Sequence, residues 1–223
     1  VFEKGVVMLG IADPTLELIG MANHGLEVVG DPFEVTESPD SFIHKLDKEP
    51  AWKAWMNKLG LPETTTPAEV KFANLAQKIP YECHNEYGSE YIVWIGAYHM
   101  PDGSLISFVS CKPGTKLWIT RRNENLIIEG VDQMLTQILE KCAKRKPLAV
   151  FHADCILRGK HTFNKIMKDE IVRHIQYPLC KNEEVPWLGM YGGAEFTPLG
   201  GKNQIHSYTT TLNVLVRRQS ENE

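Results

Sequence analysis

The 223 residues carry 43% apolar side chains, a formal charge of −4 and a pI near 6.1, enough for one large domain or two small ones. Lysine and arginine form no block longer than Lys144-Arg145-Lys146, so the basic footprint of a nucleic-acid or anionic-membrane binder is missing and neither partner is expected. No apolar run approaches the roughly 20 residues that cross a bilayer, and the first residues have no signal-peptide pattern, which predicts a soluble, cytoplasmic protein. Five cysteines without a CxxC pair predict reduced thiols rather than a disulfide framework or a zinc knuckle. The start at Val1, inside a strand-forming passage, is expected of a piece of a longer chain.

In chain order, the apolar runs 5–11 and 26–29, punctuated by Asp13-Pro14, Gly20, Gly25 and Gly30-Asp31-Pro32, read as strands joined by turns. From Pro50 the period changes: Trp52, Trp55, Met56 and Leu59 fit one helical face, and Gly60 is placed to cap it. Thr66-Pro67-Ala68-Glu69 has capping-box spacing with proline at the first helical position, which predicts a second helix to about Ile79. The runs 91–98 and 105–110 flank the turn tetrad Met100-Pro101-Asp102-Gly103 and read as a β-hairpin, followed by a third antiparallel strand at 116–120. Over 125–143, Ile127, Ile128, Val131, Met134, Leu135, Ile138, Leu139 and Cys142 form one helical stripe. A buried strand at 147–152 then leads into a helix over 161–177, and two further strands follow at 187–191 and 205–216. The predicted fold is α/β (α+β), a mixed, largely antiparallel sheet flanked by helices, with a strand-rich N-terminal part.

The strand-to-helix passage Phe151-His152-Ala153-Asp154-Cys155-Ile156-Leu157-Arg158-Gly159 holds the densest chemistry. In α/β folds such loops expose ligand-contacting groups and helix N–H donors. Arg158 followed by Gly159 suits a carboxylate or phosphate clamp, since the planar guanidinium binds bidentately and glycine admits close backbone approach. An ion pair of Arg158 with Asp154 or Glu195 is the equally open alternative. Cys155, beside Arg158 and before a helix, reads either as a ligand-lining thiol or as a small core residue. With Tyr191, Gly193, Glu195, Asn203 and His206 these residues converge on one pocket if the strands 147–152, 187–191 and 205–216 share a sheet. A metal site on His152, Asp154, Cys155, Glu195 and His206 meets an obstacle in strand geometry, because His152 and Asp154 share a face that Cys155 turns away from. A Cys155–His206 nucleophilic pair is formally available, without a cysteine-hydrolase signature around it. His24, His84, His99, His161 and His174 read as surface or capping histidines.

Taken together, Asp102-Gly103-Ser104, Lys112-Pro113-Gly114-Thr115, Asp154-Cys155-x-x-Arg158-Gly159, the Gly-rich run Gly189-Met190-Tyr191-Gly192-Gly193-Ala194-Glu195 and Asn203-x-x-His206-x-x-Thr209 resemble the FIST family of intracellular signal-transduction sensory proteins. Ala194 departs from the glycine that many members place before the glutamate. The resemblance implies a remnant of a FIST N-like domain at 1–51, a FIST C-like ligand-sensing domain at 52–217 and a polar tail at 218–223. It further implies a small-molecule sensor for an amino acid or related anionic metabolite, coupled to an output such as a histidine kinase or chemotaxis receptor, without catalysis. Arg158 would hold an anionic group and Glu195 a cationic or hydroxyl group. Cys155 and Tyr191 would shape the wall, and His206 would hydrogen-bond. Because some members bind haem and respond to nitric oxide, a haem sensor is one alternative; a thiol- or metal-dependent hydrolase or transferase using Cys155, His206 and Glu195 is another.

Overall fold

The computed structural model describes residues 10–70, 73–87, 89–95, 99–107, 110–159, 170–181 and 183–219. Two larger sheets organise them. The first contains β1 (Leu16–Asn23), β10 (Ala149–Cys155), β11 (Trp187–Gly192) and β14 (Thr210–Arg217), in the order β1-β14-β10-β11. Only β10 and β11 run parallel in it. The second has the order β5-β4-β2-β9-β6-β7, built from β2 (Leu26–Glu37), β4 (Lys45–Leu46), β5 (Glu49–Pro50), β6 (Ala73–Lys78), β7 (Tyr91–Ile95) and β9 (Lys116–Arg122). All of its pairs are antiparallel. Two small ladders complete the set: β3 (Phe42–Ile43) with β8 (Leu105–Ile106), and the hairpin β12 (Glu195–Leu199) with β13 (Lys202–His206). The mixed, mostly antiparallel α/β class expected from the sequence is what forms.

Helix α1 (Ala51–Leu59) buries Trp52, Trp55 and Met56 in a cluster with Phe33, Val35, Leu117 and Ile119 of the six-stranded sheet. It ends where predicted: Gly60 takes φ 70° and bonds Asn57 O, while Leu61 N bonds Met56 O, the 6→1 and 5→2 closure that glycine allows. Helix α3 (Glu124–Cys142) starts at Asn123, whose side chain accepts from Asn125 N and Leu126 N at 3.0 and 3.3 Å. Its buried stripe, Val131, Met134, Leu135, Ile138 and Cys142, packs on Ile19, Met21, Val150, Leu212 and Val214 of the four-stranded sheet, and Ile127 is buried at its start. A π-helical stretch, Glu170–Gln176, runs into α4 (Tyr177–Cys180) and adds Ile175 and Leu179 to that core. The rest of the helix expected over 161–177 lies outside the described residues. So do most of the strand expected over 5–11 and the end of the tail; residues 10 and 11 are not in a strand.

Four readings change in the folded chain. The capping box at Thr66 does form, with Glu69 Oε2 accepting from Thr66 N and Thr66 Oγ1 at 2.7 Å. It closes only a turn, because 73–78 becomes β6, whose backbone is paired on both sides by β7 and β9. Two ladders outweigh a helix with a weak apolar face. The tetrad at 100–103 also turns as expected, through Met100 N to Ser104 O and Gly103 N to Met100 O. Among the described residues the strands beside it pair elsewhere than in the predicted hairpin, β7 with β6 and β8 with β3, and the two sides of the turn meet at the His99–Leu105 bridge. The expected strand 205–216 divides into β13 and β14 at Tyr208, whose φ of 61° leaves the extended region. Finally, Gly20 lies inside β1, and Gly30-Asp31-Pro32 is absorbed by β2 as an irregularity between Val29 and Phe33.

The two sheets meet through short connections. Gly25, between β1 and β2, packs so closely that a Cβ there would stand 2.4 Å from Ile127 Cα. Tyr208 joins Leu26, Ala76 and Val93 in a small cluster, and Ser207 N bonds Val93 O at 3.1 Å. The C-terminal ends of β10 and β11 and the N-terminal end of β14 therefore open onto the six-stranded sheet.

Candidate functional site

The three strands that carry the sequence candidates do share one sheet, with β10 between β14 and β11. At its end Arg158 N bonds Cys155 O, Ile156 N bonds Gly192 O and Cys155 N bonds Thr209 O, each at 2.9 Å, fixing the loop after the strand. Neighbouring strand residues face opposite ways, and that separates the candidates into two adjacent groups.

On one face Asp154 accepts from Arg158 Nη1 at 3.1 Å, and His152 Nε2 lies 2.8 Å from Thr210 Oγ1. Arg158 is fully buried and Asp154 nearly so. Burial pushes the Asp154 carboxyl upward, against the pull of Arg158. A second buried guanidinium stands close by: Arg122 donates to Leu157 O and lies 5.4 Å from the Tyr208 ring centroid. Burial, then repulsion from Arg158, pushes Arg122 down to about 9. Asp154 counters two arginines at once.

On the other face Cys155 meets the β12–β13 hairpin, where Glu195 and His206 are directly opposed. Glu195 Oε2 accepts from Thr209 Oγ1 at 2.8 Å, while Oε1 is buried without a hydrogen-bond partner. Burial raises Glu195 to about 7. Burial and the Glu195 charge raise the Cys155 thiol to about 11, and its Sγ donates to Gly193 O at 3.9 Å. His206 Nε2 donates to Thr197 O at 3.3 Å, which leaves Nδ1 as a buried, unbonded acceptor. Its ring stacks on Tyr87 at 4.8 Å and 20°. Burial holds His206 down to about 4. The Tyr87 hydroxyl, at the end of α2 (His84–Tyr87), is also buried and unbonded.

Cys155, Arg158, Glu195 and His206 retain at most 2% exposure. Tyr191, opposite Asp154 in the parallel register, is 40% exposed and forms the rim. Gly193 lies before β12 in open space, where an added Cβ would meet nothing within 4 Å, whereas one on the neighbouring Gly192 would stand 3.4 Å from Glu195 Oε1. Gly159 is buried behind Arg158. Asn203 is placed elsewhere: it faces Pro198 across the hairpin and lines an outer groove with Leu18, Phe151, Leu188 and Phe196.

Sequence reasoning missed Tyr87, Arg122 and His24. Tyr87 and Arg122 carry no local motif and reach the cluster only through the second sheet. His24 was expected to be a surface or capping histidine. Its Nδ1 does accept from Leu26 N at 2.8 Å, but the ring is buried, with Nε2 2.8 Å from Ser89 Oγ. Its centroid lies 5.9 Å from that of Tyr87, and burial lowers it to about 4.

Among the described residues no group of three or more His, Cys, Asp and Glu is placed to hold a metal ion. A thiol held near 11 is protonated at neutral pH, which argues against a Cys155 nucleophile. What the arrangement offers is a dense set of buried polar groups at the strand ends of a mixed α/β sheet, the place where such folds bind small molecules.

The comparisons give this architecture its family. The FIST C domain model matches residues 52–198, more than half of the chain, and the chain belongs to the FIST family. The family's known context is signal transduction. No curated protein and no solved structure matched the chain.

Proposed function

We propose that this chain is a sensory domain that binds an amino acid or a related anionic metabolite at the ends of β10, β11 and β14. The ligand lies across the strand ends and not on one face, so that Arg158, on the Asp154 side, meets the anionic group and Glu195, on the Cys155 side, an ammonium or hydroxyl group. Asp154 positions Arg158, Cys155 and Tyr191 form the wall, Gly159 and Gly193 admit close approach, and His206 supplies an acceptor. The observation that carries the reading is the stranding of Glu195 Oε1, His206 Nδ1 and the Tyr87 hydroxyl in one buried cluster. Leaving such an atom unbonded costs about 1–3 kcal/mol, which a ligand supplying the missing bonds would offset. Because the cluster is closed, binding requires the Tyr191–Gly193 rim to move.

Family membership supports the sensory role, and its resemblance-based context supports a cytoplasmic output partner such as a histidine kinase or chemotaxis receptor. No helix among the described residues is long and apolar enough to cross a membrane. The test is calorimetric titration with an amino-acid panel, each hit compared with its amide or ester. The acid should bind more tightly, and Arg158→Lys, which keeps the charge but loses the planar fork, should weaken it by roughly 1–3 kcal/mol. Equal binding of acid and neutral analogue, or an Arg158→Lys protein that behaves like the parent, would remove the anion-clamp role.

A further inference from the structure

Between α3 and the 78–90 segment lies a groove of about 510 Å3, lined by Lys78, Tyr81, His84, Ser89, Glu90 and Gln137. It shares none of these residues with the strand-end cluster, and its volume is that of a small-ligand site. Its charges are already spent on each other: Lys78 Nζ lies 2.9 Å from Glu90 Oε2. Ser89 Oγ is engaged by His24 Nε2. Two other polar atoms have no such outlet, since Gln137 Oε1 and His84 Nε2 are both buried without a hydrogen-bond partner. Beside them stands an unusual aromatic: Tyr81 is 84% exposed, held at its edge by the His84 ring 5.0 Å away at 67°. An exposed ring next to stranded hydrogen-bonding atoms, with the neighbouring charges neutralised, suits a flat, uncharged ligand with a polar edge.

We propose that this groove is a second binding site, for an aminated heteroaromatic base of the adenine or cytosine kind. The ring stacks on Tyr81 and the half-buried Gln137 and His84 side chains turn into the groove, so that the exocyclic amine donates to Gln137 Oε1 and the adjacent ring nitrogen accepts from His84 in the tautomer protonated on Nε2. Stacking on an aromatic side chain tolerates any base, whereas the amide reads the edge. The amine beside an accepting ring nitrogen is the pattern that satisfies both stranded atoms together. This site is independent of the strand-end reading.

Calorimetry on the full chain with adenosine and inosine tests it, because inosine replaces the amine with a carbonyl and sets acceptor against acceptor. Adenosine should bind about tenfold more tightly than inosine. Gln137→Leu should abolish that preference, while Gln137→Glu, which keeps an acceptor, should retain it. Tyr81→Ala should weaken adenosine by about tenfold or more. The substituted positions are exposed or half-buried, and the melting temperature of each variant establishes that it is folded. Arg158→Lys should leave nucleoside binding unchanged, which separates failure here from failure of the sensory reading. Absence of saturable adenosine binding below about 1 mM overturns the proposal. So does equal or tighter binding of inosine, or a Gln137→Leu protein that still discriminates.

Discussion

Glu195 stands at the start of β12 with one carboxylate oxygen bonded to Thr209 and the other enclosed without a partner. Burial raises it from its ordinary 4.5 to about 7. Between those values the folded state binds more protons than the unfolded one, so this group's contribution to stability falls as pH rises and levels off above 7. His206 and His24 have the opposite sign. Each is held down from 6.5 to about 4, so the stability they contribute is present above 6.5 and lost as pH falls toward 4. Replacing Glu195 by Gln removes the only falling term of the three. The stability of Glu195→Gln relative to the parent should therefore grow from about pH 5 to pH 8, by at most roughly 3 kcal/mol. Denaturant melts at several pH values measure this, and a difference independent of pH would show that Glu195 titrates normally. The thiols offer a second measurement. Cys180 is the partly exposed one, whereas Cys155 is buried and raised to about 11. Mass-spectrometric mapping of alkylation near pH 8 should find Cys180 modified first and Cys155 only on unfolding. Fast labelling of Cys155 would revive its reading as a nucleophile.

At the scale of elements, α3 and the turn that packs on it show how tightly secondary structure is located here. Leu135 is 4% exposed and faces the four-stranded sheet. Leu135→Ala should cost about 2–5 kcal/mol through lost burial and a residual cavity, with ligand affinity unchanged. An affinity loss at unchanged stability would place a binding role on this helix. Two glycines bring the β1–β2 connection against α3 in different ways. At Gly130 an added Cβ would meet the Asn23 side chain at 2.2 Å, and a side chain can swing aside. At Gly25 it would meet the Ile127 backbone at 2.4 Å, and φ is +63°. Gly25→Ala should destabilise by more than about 1 kcal/mol and by more than Gly130→Ala, whose clash is partly offset by helix propensity. Thermal unfolding of the pair orders them, and the reverse order would mean that Asn23 is the less movable neighbour.

Across the whole molecule, the strands before residue 51 are built into both sheets. β1 pairs along its length with β14, and β2 lies between β4 and β9. A fragment beginning at Trp52 would expose Leu212, Val214, Leu117 and Ile119 while leaving three ladders open, those of β14, β9 and β8, a condition that favours aggregation. Such a fragment should lack the cooperative unfolding transition of the full chain in circular dichroism. A sharp transition would show instead that the 52–217 unit folds alone.

The sequence by itself determined the elements whose signal is local. The stripes of α1 and α3, the Gly60 cap and the turn at 100–103 depend on neighbours within a few residues, and each forms where the pattern put it. The sequence also grouped Asp154, Cys155 and Arg158 around one strand end, although Asp154 and Cys155 belong to β10 itself and not to the loop after it, and the family resemblance added Glu195 and His206 as candidates. Tertiary structure alone decided the rest. The helix signal at Thr66 yielded to β6 because backbone pairing with two distant strands outweighs one capping box. The split at Tyr208 arose because the chain must leave the hairpin for the four-stranded sheet while Tyr208 packs on Leu26 and Val93. Strand alternation already put Asp154 and Cys155 on opposite faces, but which groups met them there, Tyr87 with His206 and Arg122 with Arg158, depended on how the second sheet closes over the strand ends. Periodicity and caps act over a few residues of sequence, whereas the buried charges and stranded hydrogen-bonding atoms of this cluster arise from contacts between segments that no local pattern connects.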